Sequence, residues 1–345
     1  MTAQVDNGEK PDLTPRRRFL ANLMGGRKGK RISVSNPTSI ACVELMNKAG
    51  VHFPEAHLDA SRMAELAAAG YEILGFDTIM PEFSVQQEAA AFGCEVNWGD
   101  DTMMPEVLTH PVKEVSDVVI PENLLEKPSM RVVLEAISLL RQEYGDRVAI
   151  IGKVMGPWTI CYHTVGVEDF LLMTRLDPDG VRALLDAYLP VTVAFANAQL
   201  RAGADVVTLP DHATGDMVSP KDYAQFLVPM HRKMLPQIGG PTILHICGKC
   251  LDRIPLIITE GYDGYHFEWK NDPKKAVEAA QGEISLLGGI SNIEGLLQGT
   301  PEDVYQQARY NIEAGVDSIG PECAISLQTP IANLKAIVAA AEEGY

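Results

Sequence analysis

The chain contains the stretch Ala202-Gly203-Ala204-Asp205-Val206-Val207, and the pattern of these six residues decides the fold. A glycine ends a helix, an acidic residue follows two positions later, and an apolar strand comes next. Glycine readily adopts the left-handed conformation that closes a helix, so the pattern predicts a junction from helix to strand. It recurs at residues 69–74, 260–265 and 314–319. The chain is therefore expected to alternate helices with strands.

The predicted helix starts are as regular as the helix ends. A residue that can cap a helix stands directly before a proline at four places: Asp177-Pro178, Ser219-Pro220, Asp272-Pro273 and Thr300-Pro301. Proline suits the first helical position, because an N–H at that position has no partner within the helix. Each of the four pairs therefore predicts the first turn of a helix.

Eight short apolar runs lie among these signals and suit strands that are buried on both faces. The runs are Arg31–Asn36, Phe76–Met80, Val148–Val154, Val206–Pro210, Ile243–Cys247, Gly264–Trp269, Ser285–Ile290 and Ser318–Cys323. Eight strands that alternate with helices in a chain of 345 residues predict an α/β protein with a (β/α)8 TIM barrel. We expect a single barrel domain over residues 14–345. An open doubly wound sheet is the alternative architecture.

Two segments do not fit the repeating pattern. Residues 92–127 are rich in proline and acidic residues, and we expect them to form an inserted loop or hairpin beside the barrel mouth. Residues 1–13 have the composition of a disordered tail.

The N-terminal region also carries three consecutive arginines, residues 16–18, which resemble a twin-arginine export signal. Such a signal needs an apolar region after the arginines, and Gly25 and further basic residues follow too soon for one. Thr14 as the N-cap, Pro15 at the first helical position and Gly25 at the end instead predict a short surface helix.

Composition excludes several classes of protein. The 29 basic and 46 acidic residues give a formal net charge of −17, which disfavours nucleic-acid binding because no long basic run is present after residue 31. No apolar stretch reaches the ~18–20 residues of a membrane span. Six cysteines are too few for a disulfide scaffold, so we expect reduced thiols or metal ligands in a cytoplasmic protein.

Candidate functional residues cluster at the predicted strand ends. In a (β/α)8 barrel, the C-terminal ends of the strands converge on one mouth, where active sites are built. His245 and Cys247 end the fifth predicted strand and point the same way, because they are two residues apart. Glu268 ends the sixth strand and Cys323 the eighth. One imidazole, two thiolates and a carboxylate make a good tetrahedral zinc set.

Other residues near the strand ends allow different interpretations. Asp211 and His212 follow the fourth strand, and either a proton relay or a packing role suits them. Cys247 and Cys250 also form a Cys-x-x-Cys motif, which is typical of a redox pair or half of a zinc ribbon. No second such motif exists, which disfavours the ribbon, and a thioredoxin-like motif opens a helix in a much smaller domain. The cysteines without ligand spacing, Cys42, Cys94 and Cys161, are expected to be structural.

The sequence resembles the uroporphyrinogen decarboxylase superfamily and, within it, the methylcobamide:coenzyme M methyltransferases. The resemblance covers about residues 14–341 and rests on the segments 88–94, 156–159, 245–248, 288–290 and 320–323. It implies that zinc is held by His245, Cys247 and Cys323, and that Glu268 completes the shell until the substrate thiol replaces it. It also implies that the methyl group comes from a methylated corrinoid.

The resemblance also implies a transient corrinoid-protein partner. The corrinoid-carrying domains of related systems use an Asp-x-His-x-x-Gly motif, and the nearest string, residues 211–215, has the wrong spacing. The methyl acceptor stays open between coenzyme M and tetrahydrofolate. The sulfonate of coenzyme M needs a cation, for which Lys153, Lys249 and Lys270 are candidates.

Two further interpretations have to be weighed against the methyltransferase. Decarboxylases of the superfamily carry an arginine-rich motif that pairs the substrate carboxylates, whereas the corresponding residues 33–39 contain no arginine. An acidic protein without that clamp is expected to bind a porphyrinogen poorly. A zinc-binding or sensing role on the same fold is the non-enzymatic alternative.

Overall fold

The computed structural model describes residues 12–26 and 28–345. Of the predicted disordered tail, residues 1–11 therefore lie outside the described part of the chain. Ten strands are present in the described ranges. They are β1 (Ser33–Val34), β2 (Thr78–Ile79), β3 (Val96–Asn97), β4 (Glu106–Val107), β5 (Ala149–Lys153), β6 (Val206–Pro210), β7 (Thr242–His245), β8 (Gly264–Phe267), β9 (Ser285–Ile290) and β10 (Ser318–Pro321).

Eight of these strands form the predicted barrel, and each of the eight apolar runs contains most or all of one of them. The sheet order is β1-β10-β9-β8-β7-β6-β5-β2, and every pairing in it is parallel. The ring closes between β1 and β2 through Asp77, whose backbone N–H donates to the Val34 carbonyl at 2.8 Å. The barrel is confirmed, and the open doubly wound sheet is wrong.

Helices alternate with the barrel strands and cover the outside of the sheet. The α-helices are α1 (Pro15–Leu23), α2 (Val43–Ala49), α3 (Glu55–Leu58), α4 (Ala60–Glu72), α5 (Gln87–Ala91), α6 (Pro128–Tyr144), α7 (Pro157–Val165), α8 (Val167–Leu176), α9 (Pro178–Ala202), α10 (Pro220–Asp222), α11 (Val228–Met234), α12 (Ile254–Ile257), α13 (Pro273–Ala280), α14 (Pro301–Ala314) and α15 (Ile331–Glu342). Short 3₁₀ and π segments, such as Tyr223–Leu227 before α11, complete the helical layer. None of the helices in the described ranges is long and apolar enough to cross a membrane.

The predicted helix starts are confirmed in detail. Each of the four predicted capping side chains, Asp177, Ser219, Asp272 and Thr300, accepts a hydrogen bond from a backbone N–H in the first turn of its helix. These bonds satisfy donors that have no partner within the helix.

One predicted helix end is wrong. Gly70 lies inside α4, which continues to Glu72. A Cβ atom on Gly70 would lie 2.4 Å from Cδ1 of Ile40, so this glycine allows α4 to pack closely on that side chain and does not form a left-handed turn. The turn is made five residues later by Gly75, whose φ is +82°. The sequence pattern does not distinguish a glycine that allows close packing inside a helix from one that ends a helix in a left-handed turn.

Helix α1 also differs from its prediction. Thr14 caps it, Pro15 begins it and Gly25 follows its end, as expected, but it is not a surface helix. Phe19 and Leu23 are buried against Ala149, Ile151 and other side chains inside the barrel. The helix therefore covers the N-terminal end of the barrel, opposite the mouth.

The segment 92–127 contains the antiparallel hairpin β3–β4 and two 3₁₀ turns. Met104 and Pro105 from this segment line a cavity at the C-terminal ends of the barrel strands. The segment thus contributes to the wall of the mouth.

Asp77 supplies a prediction about stability. Its buried carboxylate accepts from Val34 N at 2.9 Å and pairs with Arg18 and Arg31. Asp77→Asn removes the charge that both arginines face, and breaking a buried ion pair costs about 3 kcal/mol or more. We expect urea unfolding to show a loss of that size.

Asp146→Asn is the matched control. The Asp146 carboxylate also pairs with an arginine, Arg16, but its side chain is 88% exposed. Exposed pairs contribute about 0–1 kcal/mol. Equal losses of stability in the two variants would contradict the role given to Asp77 in closing the barrel.

Candidate functional site

Three side chains converge at the barrel mouth. Nε2 of His245 lies 3.2 Å from Sγ of Cys247 and 3.3 Å from Sγ of Cys323, and the two sulfur atoms are 3.5 Å apart. His245 is the last residue of β7, while Cys247 and Cys323 each lie two residues beyond the end of their strand. The structure thus brings together three of the four residues that the sequence suggested as metal ligands.

The ring of His245 is held so that one nitrogen faces the two thiols. Its Nδ1 lies 3.3 Å from the carbonyl oxygen of His266, to which it donates, and this leaves the lone pair on Nε2 free to face the sulfur atoms. His266 in turn donates through Nε2 to the Pro321 carbonyl at 2.8 Å. Burial, with His266 and His212 close by, holds the pKa of His245 well below its ordinary value, so the ring is neutral.

The loop that carries Cys247 is fixed by one buried amide. Asn271 donates through Nδ2 to the Gly248 carbonyl at 2.9 Å and accepts at Oδ1 from the N–H of Cys250 at 2.7 Å. Gly248 has a φ of +82°, and a Cβ atom there would lie 2.1 Å from Oγ1 of Thr214. The loop therefore requires a glycine next to Cys247 and has one tightly defined path.

The donor set fits a tetrahedral zinc ion. Zinc lies about 2.3 Å from sulfur and about 2.0–2.1 Å from nitrogen, so tetrahedral ligand atoms are about 3.5–3.8 Å apart, close to the distances seen here. The hydrogen bond with Cys323, burial and the nearby charge of Glu268 raise the pKa of Cys247 well above its ordinary value. The Cys247 thiol, beside a neutral imidazole, therefore needs a nearby cation to become a thiolate.

Glu268 lies beside this set. It follows β8, is nearly buried, and its Oε2 lies 3.6 Å from Nζ of Lys270. Among the described residues, no hydrogen bond joins its carboxylate to His245, Cys247 or Cys323. Its charge still contributes to the raised pKa of Cys247, which shows that the carboxylate is close enough to interact electrostatically with that thiol.

The structure gives Asp211 and His212 different positions. His212 lines the cavity, and one of its ring nitrogens lies within 4.8 Å of the ligand atoms of His245 and Cys247. Burial lowers the pKa of His212 to about 4, so its ring is neutral at neutral pH. Asp211 is fully buried and points away to Thr159, whose backbone N–H donates to it at 2.9 Å.

Cys250 is not part of the cluster formed by His245, Cys247 and Cys323. Its thiol donates to the backbone carbonyl of Cys247 at 3.4 Å, whereas the thiol of Cys247 contacts Cys323. The thiol of Cys247 therefore contacts Cys323 from another barrel strand, and not Cys250 as a redox Cys-x-x-Cys motif would require.

A cavity of about 170 Å³ opens beside the cluster. Its lining includes His212, His245 and Cys323 on one side and Phe83, Met104 and Lys153 on the other. Lys153 is the last residue of β5, and its Nζ donates to the Thr38 carbonyl at 3.2 Å. Lys249 and Lys270 are exposed, so of the three candidate lysines only Lys153 lies in the cavity.

Sequence analysis missed His231, which contacts Asp211 from outside the barrel. Its Nε2 lies 3.0 Å from Oδ2 of Asp211, and its Nδ1 lies 2.8 Å from Oε2 of Glu260. His231 belongs to α11 and Glu260 follows α12, so neither stands at a strand end. No motif marks a histidine on the inner face of a helix, and only the packing of the helix on the sheet reveals it.

Comparisons with known proteins agree with this geometry. A model of the uroporphyrinogen decarboxylase (URO-D) family matches residues 14–344. A methylated-thiol–coenzyme M methyltransferase of Methanosarcina mazei is 35% identical over 337 residues, which cover 96% of this chain and 90% of the relative. A methylcobamide:CoM methyltransferase, MtaA, of Methanosarcina barkeri is 34% identical over 342 residues, which cover 97% and 99%.

The fold has a similarly extensive match. The solved structure of a methyltransferase from Methanosarcina mazei superimposes with a TM-score of 0.92 at 32% sequence identity. The match covers 96% of this chain and 99% of that one.

Proposed function

The chain belongs to the uroporphyrinogen decarboxylase family, within its methylcobamide:CoM methyltransferase branch, and we propose that it is a zinc-dependent enzyme that moves a methyl group from a methylated corrinoid protein to a small thiol such as coenzyme M. The observation that carries this proposal is the triangle of His245, Cys247 and Cys323 at the edge of a small cavity. Both relatives are named for coenzyme M as the acceptor, and the MtaA relative is named for a methylcobamide as the donor, which supports the proposed reaction.

We propose that His245, Cys247 and Cys323 hold the zinc ion and that Glu268 is the exchangeable fourth donor. When bound, zinc supplies the positive charge that favours the thiolate form of an acceptor sulfur. The protein residues hold their donor atoms in place before any acceptor arrives, through the bond from His245 to the His266 carbonyl and through the Asn271 amide.

The cavity favours a small acceptor. Sites for drug-sized ligands usually measure about 300–1,000 Å³, whereas this cavity measures about 170 Å³. A thiol of a few heavy atoms fits it, and a pterin with its glutamate tail does not. The size of the cavity therefore supports a thiol acceptor over tetrahydrofolate.

Lys153 is the residue that we propose pairs with an anionic group of the acceptor. Burial lowers the pKa of Lys153 from its ordinary value, and two buried glutamates nearby, Glu82 and Glu88, partly oppose this effect. Burial raises the pKa of Glu82 well above its ordinary value and that of Glu88 to about 7. Burial thus favours the neutral form of both carboxyl groups, which reduces the negative charge around Lys153.

We propose that His212 takes the proton of the thiol. Its neutral ring offers a lone pair close to the cluster, so that the S–H bond breaks, the proton moves to the imidazole, and the electron pair stays on sulfur. Because burial makes this imidazole a weak base with a pKa of about 4, it releases the proton to solvent water at neutral pH. Asp211, just behind it, is the residue that orients this turn of the chain.

The methyl transfer then needs no group from the protein to bond to carbon. The sulfur electron pair forms the new S–C bond as the Co–C bond breaks, and the electron pair of that bond stays on cobalt. The acceptor becomes a methyl thioether, while cobalt(III) in the co-substrate becomes cobalt(I). The apolar wall formed by Phe83 and Met104 excludes water from the nucleophile.

A decarboxylase function has no support at the site. No arginine is among the described residues that line the cavity. Arg18, which is buried, and Arg31, which is half-buried, pair with Asp77 at the opposite end of the barrel. The carboxylates of a porphyrinogen therefore have no counterpart here.

The first prediction of this proposal concerns the acceptor. With free methylcobalamin as methyl donor, the cobalt absorbance is expected to change when 2-mercaptoethanesulfonate is added and to stay constant when tetrahydrofolate is added. Lys153→Met should raise KM for 2-mercaptoethanesulfonate by about 10- to 100-fold, the value of one charge-assisted hydrogen bond, and leave KM for uncharged 2-mercaptoethanol unchanged.

Lys249→Met is the control, because Lys249 is exposed. If the cobalt absorbance instead changes only when tetrahydrofolate is added, the acceptor is tetrahydrofolate and the thiol proposal is wrong. If the protein binds zinc but neither acceptor changes the cobalt absorbance, the non-enzymatic alternative, a zinc-binding or sensing role, is favoured.

The second prediction concerns the metal. One zinc ion is expected per chain, and Cys247→Ala or Cys323→Ala should remove most of it while the barrel still folds. Cys250→Ala should retain the metal, because that thiol donates to the backbone carbonyl of Cys247 and is not among the three proposed ligands. Metal analysis and circular dichroism measure both properties. Full occupancy in the first two variants, or loss in the third, contradicts the assignment.

The third prediction concerns Glu268. Glu268→Gln should keep most of the zinc, because three donors remain, but change KM for the thiol several-fold. Glu283→Gln, which alters an exposed glutamate, should change neither quantity. Identical kinetics in the two variants would show that Glu268 has no part in acceptor binding.

A further inference from the structure

A histidine held between two carboxylates lies directly behind the proposed site. His231 is fully buried, with Asp211 at one ring nitrogen and Glu260 at the other. The hydroxyl of Tyr223 donates to the same oxygen of Glu260 at 3.2 Å. The ring of Tyr262 packs edge-on against the imidazole, with 5.2 Å between the ring centroids. These four side chains are the titratable groups that face His231.

The geometry requires both nitrogens of His231 to act as donors. Each faces a carboxylate oxygen, which can only accept when the carboxylate is ionised. Burial alone lowers the pKa of His231, but Glu260 and Asp211 outweigh this effect and raise it to about 9. Stability of the core does not by itself account for a fully buried imidazolium between two carboxylates, because apolar side chains of similar size often stabilise a core as well or better.

Asp211 connects this arrangement to the cavity. Its second oxygen, Oδ1, accepts the N–H of Thr159 at 2.9 Å, and the Thr159 hydroxyl accepts the N–H of His212 at 2.9 Å. Gly156 leaves the room that the carboxylate needs, since a Cβ atom there would lie 2.3 Å from its Cγ. The turn from Asp211 to His212 is therefore held by the Asp211 carboxylate and by Thr159.

We propose that His231 is a positioning residue that, clamped between Asp211 and Glu260, fixes the Asp211 carboxylate and thereby sets the place of the His212 imidazole at the cavity. This inference rests on the proposed function, in which His212 receives the proton of the acceptor thiol. His231 itself touches neither acceptor nor donor. Its removal leaves Asp211 as a buried charge with one donor residue fewer, so that the turn shifts.

The experiment compares three substitutions in the full-length protein. His231→Phe keeps the ring but removes both donors, while His231→Gln keeps one side-chain N–H that can reach Asp211. Tyr262→Phe is the control, since it changes a ring that packs on His231 and leaves both carboxylate contacts intact. Each variant is assayed with free methylcobalamin and 2-mercaptoethanesulfonate, and its zinc content is measured.

We expect His231→Phe to lower kcat by about 10- to 100-fold, part of the usual contribution of acid–base catalysis, with zinc content unchanged and KM within about twofold. His231→Gln should recover most of this loss. The double variant with Asp211→Asn should be no slower than Asp211→Asn alone, because both changes act through one carboxylate.

The pH profile supplies a second measurement. A pKa raised from about 6.5 to about 9 means that His231 stays an imidazolium up to about pH 8 and loses its charge as the pH rises through about 9. The wild type should therefore lose kcat near pH 9, and His231→Gln should lack that limb.

A third measurement does not depend on activity. In protein labelled with ¹⁵N at histidine, His231 should give the signals of an imidazolium up to about pH 8, and the His212 signals should move in His231→Phe but not in Tyr262→Phe. A neutral His231, or unmoved His212 signals, overturns the inference even if methyl transfer is observed. If no methyl transfer is observed in the wild type, the proposed function is wrong, whereas the labelled spectra still decide whether His231 positions His212.

Discussion

Closure of the barrel is the constraint on which the site depends. His245 and Cys323 are 78 positions apart in the sequence, and they meet at 3.3 Å only because β7 and β10 run parallel in one ring with their C-terminal ends together. The ring closes at the short strands β1 and β2, where Asp77 bonds to the backbone of Val34 with both its main chain and its carboxylate. The residues that close the ring are thus separated from the candidate site, with the Asp77 ion pairs at the N-terminal end and the thiols at the mouth.

The site is built from groups that are neutral until a cation arrives. The His245 imidazole is uncharged, and the pKa of the Cys247 thiol is raised. His212 is uncharged as well. An interior of this kind differs from the outer surface of a protein with a net charge of −17, and it favours a metal cation and an anionic acceptor over further acidic groups. Lys153 is the positive charge that the cavity itself provides.

Sequence patterns predicted those features that depend on local geometry. Capping residues before prolines predicted four helix starts, and apolar runs predicted all eight barrel strands, so the candidates at strand ends could be brought to one mouth. Features that depend on how elements pack could not be predicted in this way. The glycine at position 70 looks like a helix end but accommodates Ile40, and α1 looks like a surface helix but covers the barrel. His231 carries no pattern, since its partners come from two other elements.

The position of Asp211 links these levels of the structure. A carboxylate directly after a barrel strand suggests a group that contacts substrate, yet this one turns away from the cavity and accepts hydrogen bonds from Thr159 and His231. Its neighbour His212 faces the cavity instead, because alternate residues at a strand end point in different directions. The buried ion pair therefore does not act on the acceptor. In the proposed mechanism it restricts the turn that carries His212, so that a weak base lies next to His245, Cys247 and Cys323 before the acceptor binds.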